Sequence, residues 1–143
     1  MILENKIWYT FANEQNYPHL TRTVWIQSNT FNEYKKLVQE SIDSFNNTVV
    51  WTEMWDIEDA ESRLKEGHSL FLGTDKEGPL SHVWFKDNYL YNCYINPRRE
   101  SGYGEEFLKS CFNLIPFHTI TLHTDEWNIR AQKFFEKVGF TKI

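Results

Sequence analysis

The residues Ile95-Asn96-Pro97-Arg98-Arg99-Glu100-Ser101-Gly102-Tyr103-Gly104 stand between a strand-like stretch and a helix-like one. A strand-to-helix turn with two glycines brings several backbone N–H groups together at a helix start. Those donors, with the helix dipole behind them, suit an anion, and glycine lets a phosphate approach without interference from a Cβ. Arg98 and Arg99 add positive charge beside the turn. The dinucleotide fingerprint G-x-G-x-x-G is absent, because Phe107 occupies the third glycine position, and no Walker lysine follows. From these residues alone, a plain turn with a glycine helix start remains an equal reading.

Acid–base candidates lie close by in the sequence. Asn92 and Tyr94 are on the strand leading into the turn, His82 is on the strand before it, and His123 and Asp125 lie near the end of a later strand. Histidine titrates in the range useful for proton transfer, although a hydrogen-bonded structural role is equally open to each. Glu53 precedes a helix and could face a cationic substrate. Metal chemistry is not expected, since His19, His68, His82, His118 and His123 show neither HxxxH nor HxH spacing. Cys93 and Cys111 lack zinc-type spacing and read as buried apolar thiols.

The chain has 143 residues, matching one compact domain. Its formal net charge is −5 and no basic block occurs, which argues against non-specific nucleic-acid binding by phosphate neutralisation. Apolar runs such as Ser69-Leu70-Phe71-Leu72 are far too short to span a bilayer, and Met1 to Lys6 has no leader pattern. A soluble, cytoplasmic domain with no membrane or nucleic-acid partner is therefore expected. Aromatic residues reach 17%, with 6 Trp, 7 Tyr and 11 Phe, enough to supply a core and to line a pocket as well.

The elements that must position these residues are legible from period and punctuation. Lys6 to Phe11 and Thr21 to Gln27 are rich in aromatic and β-branched residues and read as strands, with Pro18 between them. Thr30-Phe31-Asn32-Glu33 has capping-box form, and Phe31, Tyr34, Val38, Ile42 and Phe45 follow at helical spacing. Asp56 opens a second helix, with Ile57, Ala60 and Leu64 on one face and Gly67 as its stop. Ser69–Thr74, Leu80–Lys86 and Tyr89–Asn96, separated by Asp75-Lys76-Glu77-Gly78 and Asp87-Asn88, predict an antiparallel three-strand meander ended by Pro97. A helix bearing Phe107, Leu108, Cys111, Phe112 and Ile115, a strand over Thr119–Thr124 and a last helix over Trp127–Val138 complete a mixed α/β arrangement.

Two motifs in register carry a family resemblance. Arg99-x-x-Gly102-x-Gly104 resembles the (Arg/Gln)-x-x-Gly-x-(Gly/Ala) pyrophosphate loop of the GNAT superfamily of acyl-CoA N-acyltransferases. Asn128-x-x-Ala131-x-x-Phe134-Phe135-x-x-x-Gly139-Phe140 resembles that superfamily's second signature, in the expected order and at the expected separation. The resemblance covers residues 29–143. It implies an α/β fold with a mostly antiparallel central sheet, splayed between the fourth and fifth strands of that fold and flanked by about four helices. On this view residues 1–143 form a single acyl-CoA-binding domain with residues 1–28 as an atypical N-terminal strand segment.

The resemblance also implies chemistry: transfer of an acetyl or other acyl group from acyl-CoA to a primary amine by direct attack in a ternary complex. The amides of Glu100, Ser101, Gly102, Tyr103 and Gly104, with Arg99, would hold the CoA pyrophosphate. Backbone groups of Cys93, Tyr94 and Ile95 would pair with the pantetheine arm, Asn128 would hydrogen-bond it, and Phe135 would also belong to the cofactor site. Tyr94, Asn92 and His82 are the candidate catalytic residues. Trp51, Trp55, Trp84 and Tyr94, with Glu53 and Asp56 nearby, would wall the acceptor site for a small-molecule or peptide amine, in a monomer or homodimer.

Two departures from the pattern matter. Phe135 stands where many members carry the tyrosine that reprotonates the leaving thiolate. Water could supply that proton, Tyr94 could substitute, or the domain could bind CoA without transferring anything. The chain also continues only to Ile143 after the second signature, where members usually add one or two strands, whereas strand-like residues precede the first helix in excess. The N-terminal strand is therefore expected to cover a sheet edge that would otherwise stand bare.

Overall fold

A computed structural model describes residues 5–18, 21–48, 55–96 and 102–143. In chain order the elements are β1 (Lys6–Ala12), β2 (Arg22–Ile26), α1 (Phe31–Thr48), α2 (Ile57–Lys65), β3 (Ser69–Asp75), β4 (Gly78–Lys86), β5 (Tyr89–Ile95), α3 (Tyr103–Leu114), β6 (Thr119–Asp125), α4 (Ile129–Val138) and β7 (Thr141–Lys142). Seven strands form one sheet in the order β2-β3-β4-β5-β6-β1-β7.

The predicted meander is present, with β3, β4 and β5 pairing antiparallel in sequence. Its turns use the residues that tolerate a left-handed backbone, Gly78 at φ 117° and Asp87 at φ 52°. β1 lies antiparallel along β6 from Lys6↔Asp125 to Ala12↔Thr119, so the N-terminal strand does cover the β6 edge. β7 then pairs with β1 through Tyr9↔Lys142 and Thr10↔Thr141.

The pairing of β5 with β6 differs from all the others. These strands are parallel and meet at a single pair, Tyr89↔Thr121, reinforced by the Thr121 N–H donating to the Asn88 carbonyl at 3.0 Å. Beyond that crotch no further β5–β6 pair forms among the described residues, and the strands part toward Ile95 and Asp125. With the additional strand β1 set aside, these are the fourth and fifth strands of the expected scheme, and the splay stands where it was expected.

Each sheet face carries its own core. One contains Tyr9, Phe11, Phe71, Val83, Phe85, Leu90, Phe107, Leu108, Phe112, Ile120 and Leu122, between the sheet and α3 and α4. The other contains Ile26, Phe31, Val38, Ile42, Phe45, Trp55, Leu64, Leu70, Leu72 and Trp84, beneath α1 and α2. The apolar spacing of α1 accounts for this, since Phe31, Val38, Ile42 and Phe45 fall on one stripe and all are buried.

Several boundaries differ from expectation for local reasons. The capping box forms one turn earlier than Thr30–Glu33. A 3₁₀ turn over Ser28–Thr30 precedes α1, and the Gln27 N–H donates to Thr30 Oγ1 at 3.0 Å. Thr30 is thus drawn backwards as a partner for Gln27. The Asp56 cap is found as expected, accepting from the Asp59 N–H at 2.9 Å, with the Asp59 carboxylate accepting in return from the Asp56 N–H. α4 starts at Ile129, because Asn128 is its N-cap and leaves Trp127 outside, 73% exposed.

Candidate active site

The open end of the β5/β6 split is closed from one side by the start of α3. Gly102 is the N-cap, with φ 85°, and offers no side-chain cap to the first turn of the helix. The N–H groups there are consequently without a side-chain acceptor from the cap residue, as an anion site requires, although Glu105 and Glu106 in the same turn set negative charge behind them. Gly104 faces inward: a Cβ on it would lie 2.9 Å from Phe134 Cε1 and 3.5 Å from Ile95 Cγ1. The helix start therefore sits tightly between α4 and the end of β5. Pro97, Arg98, Arg99, Glu100 and Ser101 lie outside the described residues.

Tyr103 ties this helix start to the sheet by its side chain. Its hydroxyl is 2.9 Å from Ser81 Oγ on β4, and its ring stacks on Phe107 at 6.0 Å. The slot it fills exists because residue 73 is glycine: a Cβ there would lie 2.2 Å from Tyr103 Oη, 2.4 Å from Ser81 Oγ and 2.8 Å from Phe107 Cδ1.

Three of the predicted catalytic residues meet on the α1–α2 side of β4 and β5. His82 and Tyr94 are register partners, as are Trp84 and Asn92, and Tyr91 is the extra residue of a β-bulge between Asn92 and Leu90. The bulge turns both Tyr91 and Asn92 toward the same face. His82 is 1% exposed and its Nε2 lies 3.0 Å from Asn92 Oδ1. An amide oxygen only accepts, so Nε2 carries the proton and Nδ1 holds a free lone pair. Burial pushes the imidazole pKa down to about 4, with the Arg63 charge adding to the effect and the Asn92 hydrogen bond opposing it. His82 is therefore neutral near pH 7.

An aromatic enclosure surrounds this imidazole. Phe45 lies 5.2 Å from it, Trp55 5.3 Å and Tyr94 5.4 Å, with Phe45 also edge-on to Tyr94 at 5.1 Å. Within the enclosure His82 Nδ1 and Tyr94 Oη are buried with no hydrogen-bond partner among the described residues, and so are Trp84 Nε1 and Asn46 Oδ1 on two residues that touch Trp55 from outside it. Buried polar atoms are nearly always satisfied in a finished structure, so the two orphans on neighbouring rings, His82 Nδ1 and Tyr94 Oη, mark a place that a ligand's polar group would complete.

Other candidates fall elsewhere. Trp84, expected to wall the acceptor site, is wholly buried instead; its ring meets Trp55 at 5.8 Å and stacks on Tyr91 at 6.5 Å, with the Arg63 guanidinium 5.3 Å above it. It is core, because α2 lays Arg63 over it. Trp55 is 9% exposed and does belong to the enclosure. Asn128 caps α4, its Oδ1 accepting from the Ala131 N–H at 3.1 Å, and only its amide nitrogen is left for a cofactor. Phe135 sits in the α3–α4 core, 5.2 Å from Phe134 and 5.7 Å from Phe140. Cys93 turns to that core too, and burial pushes its thiol up to about 12; Cys111 is likewise raised by burial. His123 Nδ1 is 2.6 Å from Tyr89 Oη, and Asp125 pairs with Lys6 at 2.5 Å, so neither stands free as a base. Trp51 and Glu53 lie outside the described residues.

Sequence reasoning missed two residues at the enclosure. Phe45 looked like the last residue of a helix stripe, which it is, and Asn46 beside it gave no signal. No group of three or more His, Cys, Asp or Glu able to hold a metal occurs among the described residues. Nor is any helix among them long and apolar enough to cross a membrane.

No protein-family model and no curated protein sequence matches the chain. Solved structures do. A GNAT-family acetyltransferase from Colwellia psychrerythraea superposes with a TM-score of 0.66 at 13% identity, over 98% of this chain and 53% of its own. A ribosomal-protein-alanine N-acetyltransferase from Brucella melitensis gives 0.58 at 11% identity, over 82% and 90%. An aminoglycoside acetyltransferase from an uncultured soil metagenomic sample gives 0.58 at 11% identity, over 82% and 86%. A functionally unknown conserved protein from Staphylococcus epidermidis and a tandem GNAT protein of clavulanic acid biosynthesis are similar as well; this chain spans 57% and 50% of their lengths. The fold is that of the GNAT acetyltransferases.

Proposed function

We propose that the protein is an N-acyltransferase that moves an acetyl or other acyl group from an acyl-CoA to a primary amine. The observation that carries this reading is the β5/β6 split, a parallel pair joined at Tyr89↔Thr121 alone and opening toward a glycine-started helix without a side-chain cap. An extended chain with amide groups, as pantetheine is, fits beside the unpaired backbone edge of Cys93, Tyr94 and Ile95, and a diphosphate fits the N–H groups at Gly102, Tyr103 and Gly104. Arg99, Glu100 and Ser101 extend that cradle in the sequence. Bound acyl-CoA supplies an activated thioester carbon.

The chain's own residues supply position and proton management. The enclosure of Phe45, Trp55 and Tyr94 excludes water and disfavours a charged ammonium, so an amine enters neutral. His82, itself neutral, offers Nδ1 as acceptor for the amine N–H and so orients the nitrogen lone pair toward the split. Asn92 fixes the tautomer that leaves Nδ1 free. Tyr94 Oη, buried and unpartnered, takes the place of the acid that Phe135 lacks: it gives its proton to the thiolate as the C–S bond breaks and regains one from the nitrogen that has formed the C–N bond, with water as the other carrier. Trp55 is on the acceptor side, and Glu53, two residues earlier in the sequence, is assigned to the same role. Residues 1–143 act as one domain in the cytoplasm, as monomer or homodimer, on a small-molecule or peptide amine. The named acceptors of two structural neighbours, an aminoglycoside and a ribosomal-protein alanine, support both classes.

The test is incubation with acetyl-CoA and a panel of primary amines while free CoA thiol is followed. Amine-dependent thiol release, lowered in Tyr94→Phe and His82→Leu, is expected. A second reading, a CoA-binding domain without transfer, is favoured by Phe135 alone. CoA binding with no turnover on any amine would establish it.

A further inference from the structure

The N-terminal strand does more than cover an edge. By lying antiparallel to β6 it sets Trp8 opposite His123, on the sheet face away from the α3–α4 core that takes Tyr9 and Phe11. The rings assemble there: Trp8 to His123 at 4.7 Å, His123 stacked on Tyr89 at 5.8 Å, Trp8 to Tyr89 at 6.1 Å and Tyr89 to Tyr91 at 6.3 Å. Among the described residues α1 and α2 lie over β4 and β3 on this face rather than over β6 and β1, and Trp8 is 47% exposed. Trp8 is thus the exposed member of a contiguous group of four rings, the kind of surface on which a flat apolar group stacks.

This row of rings begins at the crotch of the split. Tyr89 is the β5 residue paired across to β6, and Asn92 and Tyr94 follow it up the same face. At strand rise, Asn92 is roughly 10 Å from Tyr89. The hydroxyls of the platform are already engaged, Tyr89 with His123 Nδ1 and Tyr91 with His68 Nδ1, each at 2.6 Å. A saccharide would want free hydrogen-bonding groups; a flat apolar ring wants only the ring faces.

We propose that Trp8, His123 and Tyr89, backed by Tyr91 whose own ring is held against Trp84 and Arg63, form a stacking platform for the acceptor, and that the acceptor is a primary amine carrying an aromatic ring, held with its nitrogen toward Asn92 and His82. The inference rests on the acyltransfer reading for the chemistry, and on geometry alone for the ring. It makes β1 a contributor to specificity as well as to the sheet.

Two probes separate ring from amine: 2-phenylethylamine and n-hexylamine, each assayed with acetyl-CoA and each titrated onto the donor-free protein by saturation-transfer NMR. The wild type should favour the aryl amine, and Trp8→Leu should raise its KM about tenfold, the upper range for one aromatic pair. Hexylamine kinetics and the KM for acetyl-CoA should not move, and Trp8→Phe should recover the aryl preference. Equal kinetics for the two amines, or an equal loss on both in Trp8→Leu, overturns the platform. Aryl binding that depends on Trp8 without turnover of either amine keeps the platform and removes the acyltransfer reading. Turnover without ring preference does the reverse.

Discussion

The two faces of the sheet carry cores of similar aromatic richness that differ in how their polar atoms are gathered. Against α3 and α4, Phe107, Phe112 and Leu108 are fully buried, and Tyr103 brings its hydroxyl to Ser81. Among the described residues, that face leaves Trp25 Nε1 and Thr124 Oγ1 buried without a partner, whereas against α1 and α2 four such atoms, on His82, Tyr94, Trp84 and Asn46, lie within one neighbourhood. Desolvating such atoms without a partner costs roughly 1–3 kcal/mol apiece. The first face behaves as scaffold and the second holds the incomplete polar arrangement of a site, so substitutions should separate stability from activity according to the face they fall on.

The largest effect is expected on the scaffold face. Phe107→Ala removes a ring of 0% exposure that touches Tyr103 and the β3–β4 slot, and should cost about 3–5 kcal/mol in urea unfolding. A loss under 1 kcal/mol would mean that the α3 face is loosely packed and the contrast is false. The next effect tests the other face by pH. His82 holds its pKa near 4 in the fold against about 6.5 when unfolded, so the unfolded chain binds the extra proton between those values. Stability contributed by the neutral form is complete above about pH 6.5 and is lost as pH falls toward 4, by up to about 3 kcal/mol. His82→Leu should flatten that limb of a stability–pH curve, and an unchanged slope would place the acid sensitivity elsewhere.

How much of this could be seen in the sequence depends on whether a feature is local. Gly67, Gly78 and Asp56 act within a few residues, and the helices and meander they punctuate stand where they were expected. The split between β5 and β6 was reached only through two motifs in register, since no property of Tyr89 or Thr121 announces that they alone will pair. Trp55 and Trp84 look alike as sequence, yet α2 lays Arg63 over Trp84 and makes it core. Thr30 satisfied a capping pattern toward Glu33 and was taken by Gln27, because a 3₁₀ turn brought that N–H closer. The enclosure around His82 needed α1 and β5 to meet, and Asn46 has no pattern until they do.

A smaller pair of effects sharpens the contrast with one chemical change made on each face. Tyr103→Phe deletes a hydroxyl that Ser81 engages, and leaves the Ser81 hydroxyl without that partner; a loss of about 1 kcal/mol is expected, with little change in amine turnover under saturating donor. Tyr94→Phe deletes a hydroxyl that nothing engages, so the fold should be unchanged or slightly more stable. Its turnover should nonetheless fall by about 100-fold if that hydroxyl reprotonates the leaving thiolate. Thermal melts and thiol-release rates on the two variants read both quantities. Stability lost in Tyr94→Phe would show that its hydroxyl has a structural partner after all, and stability kept with turnover also kept would assign the proton to water. Only stability kept with turnover lost makes Tyr94 the acid, and it would do so from the face opposite Phe135, leaving the aromatic side chain of the second signature as packing alone.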